Sequence, residues 1–127
     1  MAKSRLNKQQ FSKIARITIN GQKWFDKVNG NTYNSVQFTI ELKDFREFDF
    51  TLMRTYGYGD YYVQRVTEWL ETVAPKSLLG KRGCAGYSDF RQHVRDNIKL
   101  VENCQHGLKR EMAKEDDLSA LVELLKI

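Results

Sequence analysis

Hydrophobic and polar residues alternate without a miss in two stretches of the chain, 36–42 and 48–52. The alternating apolar residues are Val36, Phe38, Ile40, Leu42, Phe48, Phe50 and Leu52. Because successive side chains of a β-strand point to opposite faces, this pattern predicts two half-buried strands. The short polar connection 43–47 predicts that they form an antiparallel hairpin, whose other face is polar and acidic.

An earlier stretch, 14–25, alternates less regularly and contains Asn20-Gly21. Ala15, Ile17 and Ile19 share one face of a strand, but Asn-Gly is also the strongest two-residue signal for a hairpin turn. Two pairings follow: a tight hairpin at Asn20-Gly21, or one long bulged strand that turns at 29–31. We prefer the long strand, because residues 33–42 need a long partner.

Helical periodicity begins after the glycine-rich segment 56–60. Asp60 is a suitable N-cap for a helix over 61–73, and Pro75 ends that helix. Its predicted inner stripe is Val63, Val66, Leu70 and Val73, with Tyr62 and Trp69 beside it.

The last third of the chain has weaker patterns. We expect a loop over 76–87, a short helix over 89–96 that Ser88 caps, and a fourth strand over 98–101. Residues 106–114 are predicted to be helical, and so is the tail 115–127. The stripe of that tail helix is Leu118, Leu121, Val122 and Leu125.

These elements predict an α+β fold with a three- to four-stranded, mainly antiparallel sheet and helices packed on one face. The length of 127 residues suits one domain. We divide it into a basic arm (1–12), an α+β core (13–114) and an amphipathic C-terminal helix (115–127). The predicted core residues are Ile17, Ile19, Val36, Phe38, Ile40, Phe48, Phe50, Leu52, Val63, Val66 and Leu70.

The formal net charge is +5, and its distribution is uneven. The basic residues concentrate in 1–27 and 74–114, while 28–73 and 115–127 are acidic. Clustered cations favour an anionic partner, because their fields add; a merely solvated basic surface is the alternative. No apolar run is long enough to cross a membrane, the N-terminus has no apolar signal region, and the two cysteines are expected to stay reduced. We therefore expect a cytoplasmic protein without a membrane partner.

Aromatic residues suggest a surface on which nucleic-acid bases stack. Four tyrosines lie within 56–62, and Trp24-Phe25 stands between Lys23 and Lys27. Aromatic rings beside cations are typical of single-strand binding, although in a small domain half of these rings belong in the core. The glycines of 56–60 resemble a phosphate loop, but they lack the third glycine or the Lys-Ser/Thr that known phosphate loops require.

The loop 76–87 is the better anion contact. It combines three glycines with Lys76, Lys81 and Arg82, and Arg91, Arg95 and Lys99 follow it. Glycine lets the backbone approach a phosphate, and the cations neutralise its charge, so these residues predict a continuous phosphate-binding stripe. A mobile solvated loop is the alternative.

The sequence gives only weak support for a metal site or for nuclease activity. The two cysteines and two histidines lack the spacing of a zinc site, so no metal or other cofactor is expected. Asp26 followed by Glu41-Leu42-Lys43 has the form of a D…ExK nuclease signature, in which two carboxylates hold Mg²⁺ and a lysine positions the attacking water. This short pattern arises easily by chance in a charged hairpin.

Several segments resemble a group of small, functionally uncharacterised proteins from bacteriophages and mobile elements. The resemblance covers roughly residues 14–111 and implies a phage-type accessory protein in a bacterial cytoplasm. It brings no established activity, so no catalytic residue follows from it. The segments that resemble the group are WFDK (24–27), GNTYNSV (30–36), YGYGDYY (56–62), IKL (98–100) and GLKRE (107–111).

The leading functional hypothesis is a non-enzymatic module that binds DNA or RNA. The predicted nucleic-acid-binding residues are Arg16, Lys23, Lys81, Arg82, Arg91 and Arg95 for phosphate contacts, with Trp24 or Tyr58 for stacking. The second hypothesis is an inhibitor, of the anti-CRISPR kind, that docks on a host nucleic-acid-handling or defence complex. A Mg²⁺-dependent nuclease is third. The tail helix is expected either to pack on its own domain or to form a homodimer.

Overall fold

The computed structural model describes residues 5–57, 61–79, 84–108, 110 and 112–127, with 84–89 described as backbone alone. Four helices and four strands lie in these segments. The helices are α1 (Lys8–Phe11), α2 (Tyr61–Val73), α3 (Cys84–Asn97) and α4 (Leu121–Leu124), with a 3₁₀ turn at Lys76–Leu78. The strands are β1 (Ile14–Asp26), β2 (Asn31–Leu42), β3 (Glu47–Tyr56) and β4 (Lys99–His106).

The four strands form one sheet in the order β3-β2-β1-β4. β1 and β2 pair antiparallel, as do β2 and β3, whereas β4 lies parallel to β1 at the edge. Parallel strands need a long crossover, and α2 and α3 provide it between β3 and β4. The α+β fold with a mainly antiparallel sheet is therefore confirmed.

The first strand is long and continuous, as we preferred. β1 pairs with β2 from Ile14 opposite Leu42 to Asp26 opposite Asn31, with a bulge between Ile14 and Arg16. The turn after β1 is stabilised by the Asp26 carboxylate, which accepts hydrogen bonds from the Val28 and Asn29 backbone at 3.0 and 3.2 Å. Gly30 completes it with a φ of 70°, a conformation that glycine adopts without strain.

The helices cover one face of the sheet and enclose the core there. Phe38 and Phe50 stack with ring centroids 5.2 Å apart, and Trp69 of α2 packs on both rings at 5.1 and 4.7 Å. Nine of the eleven predicted core residues belong to the buried cluster, and the other two, Phe48 and Val63, are partly buried and pack against it. The core prediction is thus confirmed, because strict alternation fixed which face of each strand is apolar.

The described part of the predicted basic arm does not extend from the domain. Leu6 and Phe11 are buried in the core, and Arg5 donates hydrogen bonds of 2.8 and 2.9 Å to the carbonyls of Glu71 and Ala74. The single helical turn α1 is closed by a capping box between Asn7 and Gln10. Residues 5–12 therefore belong to the core layer, and residues 1–4 lie outside the described chain.

The C-terminal third differs most from the prediction. The predicted loop 76–87 contains a 3₁₀ turn and the first residues of α3, so that helix begins before the predicted cap at Ser88. β4 extends to His106, well beyond the predicted end at position 101. No α-helix occupies the described residues of 106–114, and the tail 115–127 contains one helical turn instead of a long helix.

The tail packs on its own domain. Leu124 is fully buried, Leu118, Leu121 and Leu125 pack against the core, and Val122 of the predicted stripe is exposed. The Gln10 amide donates to the carbonyls of Leu125 and Ile127 at 3.1 and 2.8 Å. A homodimer through this tail remains a prediction, but the leucines that suggested it are occupied within the chain.

None of the helices in the described segments has the length and apolar character that a membrane crossing requires.

Candidate nucleic-acid interface

The sheet face opposite the helices, which we call the open face, is lined mainly by amide and hydroxyl side chains. The members that come from the four strands are Thr18, Asn20, Gln22, Ser35, Gln37, Thr39, Thr51, Asn103 and Gln105. Several of them surround a shallow cavity of about 330 Å³, and Asn103 donates to the Asn20 amide oxygen at 3.2 Å. Such groups both donate and accept hydrogen bonds, so this face can bind other polar molecules.

A row of three aromatic rings crosses one end of the open face. Trp24 of β1 lies opposite Tyr33 of β2, with ring centroids 5.7 Å apart. Tyr33 in turn lies opposite Tyr56 of β3, edge to face at 6.2 Å. Tyr56 is 50% exposed, and the other two rings are partly buried. We call these three residues the aromatic row; it spans about 10 Å across the strands.

The described residues of 107–117 (107, 108, 110 and 112–117), which we call the crossing segment, bond to both β1 and β3. Gly107 donates to the Lys23 carbonyl at 2.9 Å, and the Ala113 carbonyl accepts from Arg54 at 2.8 Å. Asp117 exchanges two backbone bonds with Thr51, which closes the free edge of β3. The Gly107 amide and the Ala113 carbonyl thus bond to strands instead of forming the intrahelical bonds of the predicted helix over 106–114.

The structure divides the predicted binding residues between the two faces. Arg16 and Trp24 lie on the open face, where Arg16 forms an ion pair with Glu41. Lys23 lies on the helix face instead, with its ammonium 5.7 Å from the centre of the Tyr62 ring. Adjacent positions of a strand point to opposite sides, so Lys23 and Trp24 cannot serve one surface as predicted. Tyr58 lies outside the described residues.

The described residues of the predicted basic stripe lie on two faces of the sheet. Arg91 and Arg95 lie together on a cavity between α2, α3 and β4 on the helix face. Lys99 of β4 lies opposite Arg16 of β1 in the sheet, so it occupies a position on the open face. Lys81 and Arg82 lie outside the described residues. Arg91 and Arg95 therefore lie on a different face of the sheet from Lys99 and Trp24.

Two ionisable groups on the helix side have shifted pKa values. Burial lowers the pKa of Arg65, whose guanidinium lies 3.4 and 3.3 Å from the backbone and side-chain oxygens of the fully buried Asn34. Burial also raises the pKa of Glu71, and the nearby Arg91 guanidinium partly opposes that rise. Arg65 thus has a structural role between α2 and β2, whereas Arg91 borders a cavity.

The nuclease pattern does not form a metal site. Asp26 pairs at one end of the β1–β2 ladder and Glu41 at the other, ten positions along β2, or roughly 33 Å apart. The Asp26 carboxylate stabilises a turn, and Glu41 pairs with Arg16. Two such distant carboxylates cannot share one Mg²⁺. Within the described residues there is also no group of three or more His, Cys, Asp or Glu side chains that could hold a metal ion.

Sequence reasoning missed most of the open face. Tyr33 and the amides Gln22, Gln37, Asn103 and Gln105 were not candidates, because single polar residues on a strand resemble ordinary solvated positions. The turn at 27–30 does place Trp24 opposite Tyr33, so that contact was available from the sequence. The residues that β4 adds to the open face could not be predicted from the sequence, because β1, its partner in the sheet, is distant in sequence.

Comparison with known proteins gives no relative for this chain: no family model, curated protein or solved structure matches it. The resemblance to phage and mobile-element proteins therefore remains an expectation from the sequence.

Proposed function

We propose that the chain is a non-enzymatic module that binds single-stranded nucleic acid on the open face of its sheet. The observation that supports this function best is the aromatic row, which presents three rings on adjacent strands with Tyr56 half exposed. Stacking of a base on an aromatic ring contributes roughly 1–3 kcal/mol and tolerates any base, because every base has a π-face. The row is long enough for about two bases.

The surroundings of the row suit a nucleotide chain. Asn20, Gln22 and Gln37 lie beside it on the same face and can bond to base edges or to sugar hydroxyls. Exposed cations are Lys27 in the turn after β1, and Arg110 and Lys114 on the crossing segment, whose Ala113 bonds to Arg54 of β3. We expect phosphate contacts from these cations rather than from Arg91 and Arg95, which lie on the helix face.

The proposal is tested by fluorescence anisotropy with labelled single-stranded DNA and RNA of the same sequence, against a matched duplex. Single strands should bind more tightly, because duplex bases are already stacked and cannot reach the rings. Affinity should fall with salt, with a slope of about 0.7 for each phosphate that a cation neutralises. The absence of binding to either single strand at low salt would exclude this function.

A second function, docking on a protein partner, is favoured by Phe45 in the turn between β2 and β3. Its ring is 81% exposed, and its φ of 73° is unusual for a bulky residue. The surrounding turn holds it there: Phe45 donates to the Leu42 carbonyl at 3.0 Å, and Leu42 donates to that of Arg46 at 2.9 Å. An exposed ring kept in a strained conformation suits an anchor in a partner's apolar pocket. The sequence resemblance implies a host nucleic-acid-handling or defence complex as that partner.

The Phe45→Gly variant separates this function from stability. We expect its free energy of unfolding to rise by about 1 kcal/mol, because glycine relieves the strain of the positive φ. Urea unfolding measures that gain. If Phe45 is an anchor, the same variant should recover less of a host protein in a pull-down from nuclease-treated lysate. Equal recovery by the variant and the natural chain would remove Phe45 from this role.

A further inference from the structure

A second cavity lies on the helix side of the sheet, and Tyr56 of the aromatic row also borders it. It has a volume of about 400 Å³ and is bordered by α2, α3 and β4. The polar side chains that border it are Tyr56, Tyr61, Gln64, Thr67, Arg91, Arg95 and Glu102, and Val63, Val94 and Leu100 supply apolar surface. A volume of this size is typical of sites for small molecules.

Two arginines define the charge of this cavity. Arg91 and Arg95 are four positions apart on α3, so their side chains leave the same face of the helix. Guanidinium groups offer donors in a planar fork that matches phosphate oxygens, and two neighbouring forks can bind one phosphate. The cavity therefore favours an anion on the α3 side.

The opposite wall has a different chemistry. Glu102 of β4 borders the cavity and, when ionised, accepts hydrogen bonds without donating any. A second phosphate beside it would be repelled, whereas hydroxyl or amino groups would be bound. Val63, Val94 and Leu100 lie between the charged groups and suit a flat, weakly polar body.

We propose that this cavity binds the monophosphate group of a nucleotide. Arg91 and Arg95 hold the phosphate, Glu102 accepts hydrogen bonds from the sugar hydroxyls, and the apolar residues contact the base. One phosphate matches the two arginines, and the sugar and base match the remaining walls. The phosphate has two possible sources: a free mononucleotide, or the 5′ end of an oligonucleotide.

Isothermal titration with adenosine and guanosine 5′-monophosphates tests the site directly. The natural chain should bind at least one of them saturably, and Arg95→Gln should weaken binding by about tenfold through the loss of one charged hydrogen-bonding group. Lys126→Gln is the matched control, because Lys126 is an exposed cation that does not border the cavity. No saturable binding of either nucleotide, or an equal loss in both variants, would overturn the proposal.

Inorganic phosphate and Glu102→Gln distinguish a nucleotide site from a general anion site. Glu102→Gln should weaken nucleotide binding while leaving phosphate binding equal or tighter, since only the nucleotide has hydroxyls for the carboxylate. A parallel weakening of both ligands would contradict the role of Glu102. Comparison of a 5′-phosphorylated and a 5′-hydroxyl oligonucleotide then identifies the source of the phosphate. If the chain prefers the phosphorylated oligonucleotide and Arg95→Gln removes that preference, the site binds an oligonucleotide end. If both oligonucleotides bind equally while the mononucleotide still binds, the site takes the free nucleotide.

Discussion

Replacement of Tyr56 by alanine should weaken binding of single-stranded nucleic acid by roughly tenfold to a hundredfold, which corresponds to the loss of one stacked base. Tyr56 is the most exposed ring of the aromatic row, so it has the largest area available to a base. Fluorescence anisotropy with a labelled single strand, at fixed low salt, measures the change. Tyr56→Phe should keep most of the affinity, because the phenyl ring still stacks.

Phe25→Ala is the matched control for this result. Phe25 is 53% exposed, close to the 50% of Tyr56, and lies at the same end of the sheet. Strand alternation places it on the face opposite Trp24, so its removal should leave the affinity unchanged. An equal loss in both variants would assign the effect to the stability of this end of the sheet. Full affinity in Tyr56→Ala would show that the row is not the binding surface.

Gly21→Ala should lower the free energy of unfolding by about 1–3 kcal/mol, the range for overpacked cores. A Cβ at Gly21 would lie 2.5 Å from the ring of Tyr62, which is a buried residue of α2. The contact is with ring atoms close to the side-chain base, so the ring cannot move aside without shifting the helix. Urea unfolding of the two proteins measures the difference.

A double mutant identifies the cause of this effect. In a Tyr62→Leu background, which lacks the ring, Gly21→Ala should be much less harmful, and the two changes should be clearly non-additive. Asn20→Ala is the neighbouring control: Asn20 is exposed on the open face and its loss should change stability by less than about 0.5 kcal/mol. Additive losses would show that the close approach of Tyr62 to Gly21 is not responsible.

Gly21 also explains why the sequence offered two pairings for the first strand. Asn20-Gly21 is a strong turn signal by local chemistry, but both residues lie within a ladder in which Gly21 pairs with Val36 and Cys104. The glycine is required by the close approach of α2, a contact between residues far apart in sequence. The preference for the long strand was correct because β2 needed a partner of equal length.

The strands, α2 and the core could be predicted because their patterns are local and strict. The C-terminal third could not, because tertiary pairing overrides its helical periodicity. Asp117 pairs with Thr51, and Ala113 accepts from Arg54, so the backbone bonds of this segment go to β3 instead of to a helix. Beyond those contacts, Leu121–Leu124 forms a helical turn.

Only part of the aromatic row could be predicted from the sequence. The turn after β1 fixes Trp24 opposite Tyr33, but the position of Tyr56 depends on a bulge between Asn34 and Val36. That bulge shifts the β2–β3 register by one residue, and a shift by one moves a side chain to the other face. Without it, Tyr56 would point toward the helices. Such a shift has no signal in the sequence.

Chemical-shift mapping of the isotope-labelled chain with a short single-stranded oligonucleotide tests the central claim most directly. We expect the largest changes at the indole N–H of Trp24 and at the side-chain amides of Gln22 and Gln37, all on the open face. The indole of Trp69, buried beneath the helices, should remain unchanged. Changes confined to the helix face, or none at saturating oligonucleotide, would contradict binding on the open sheet.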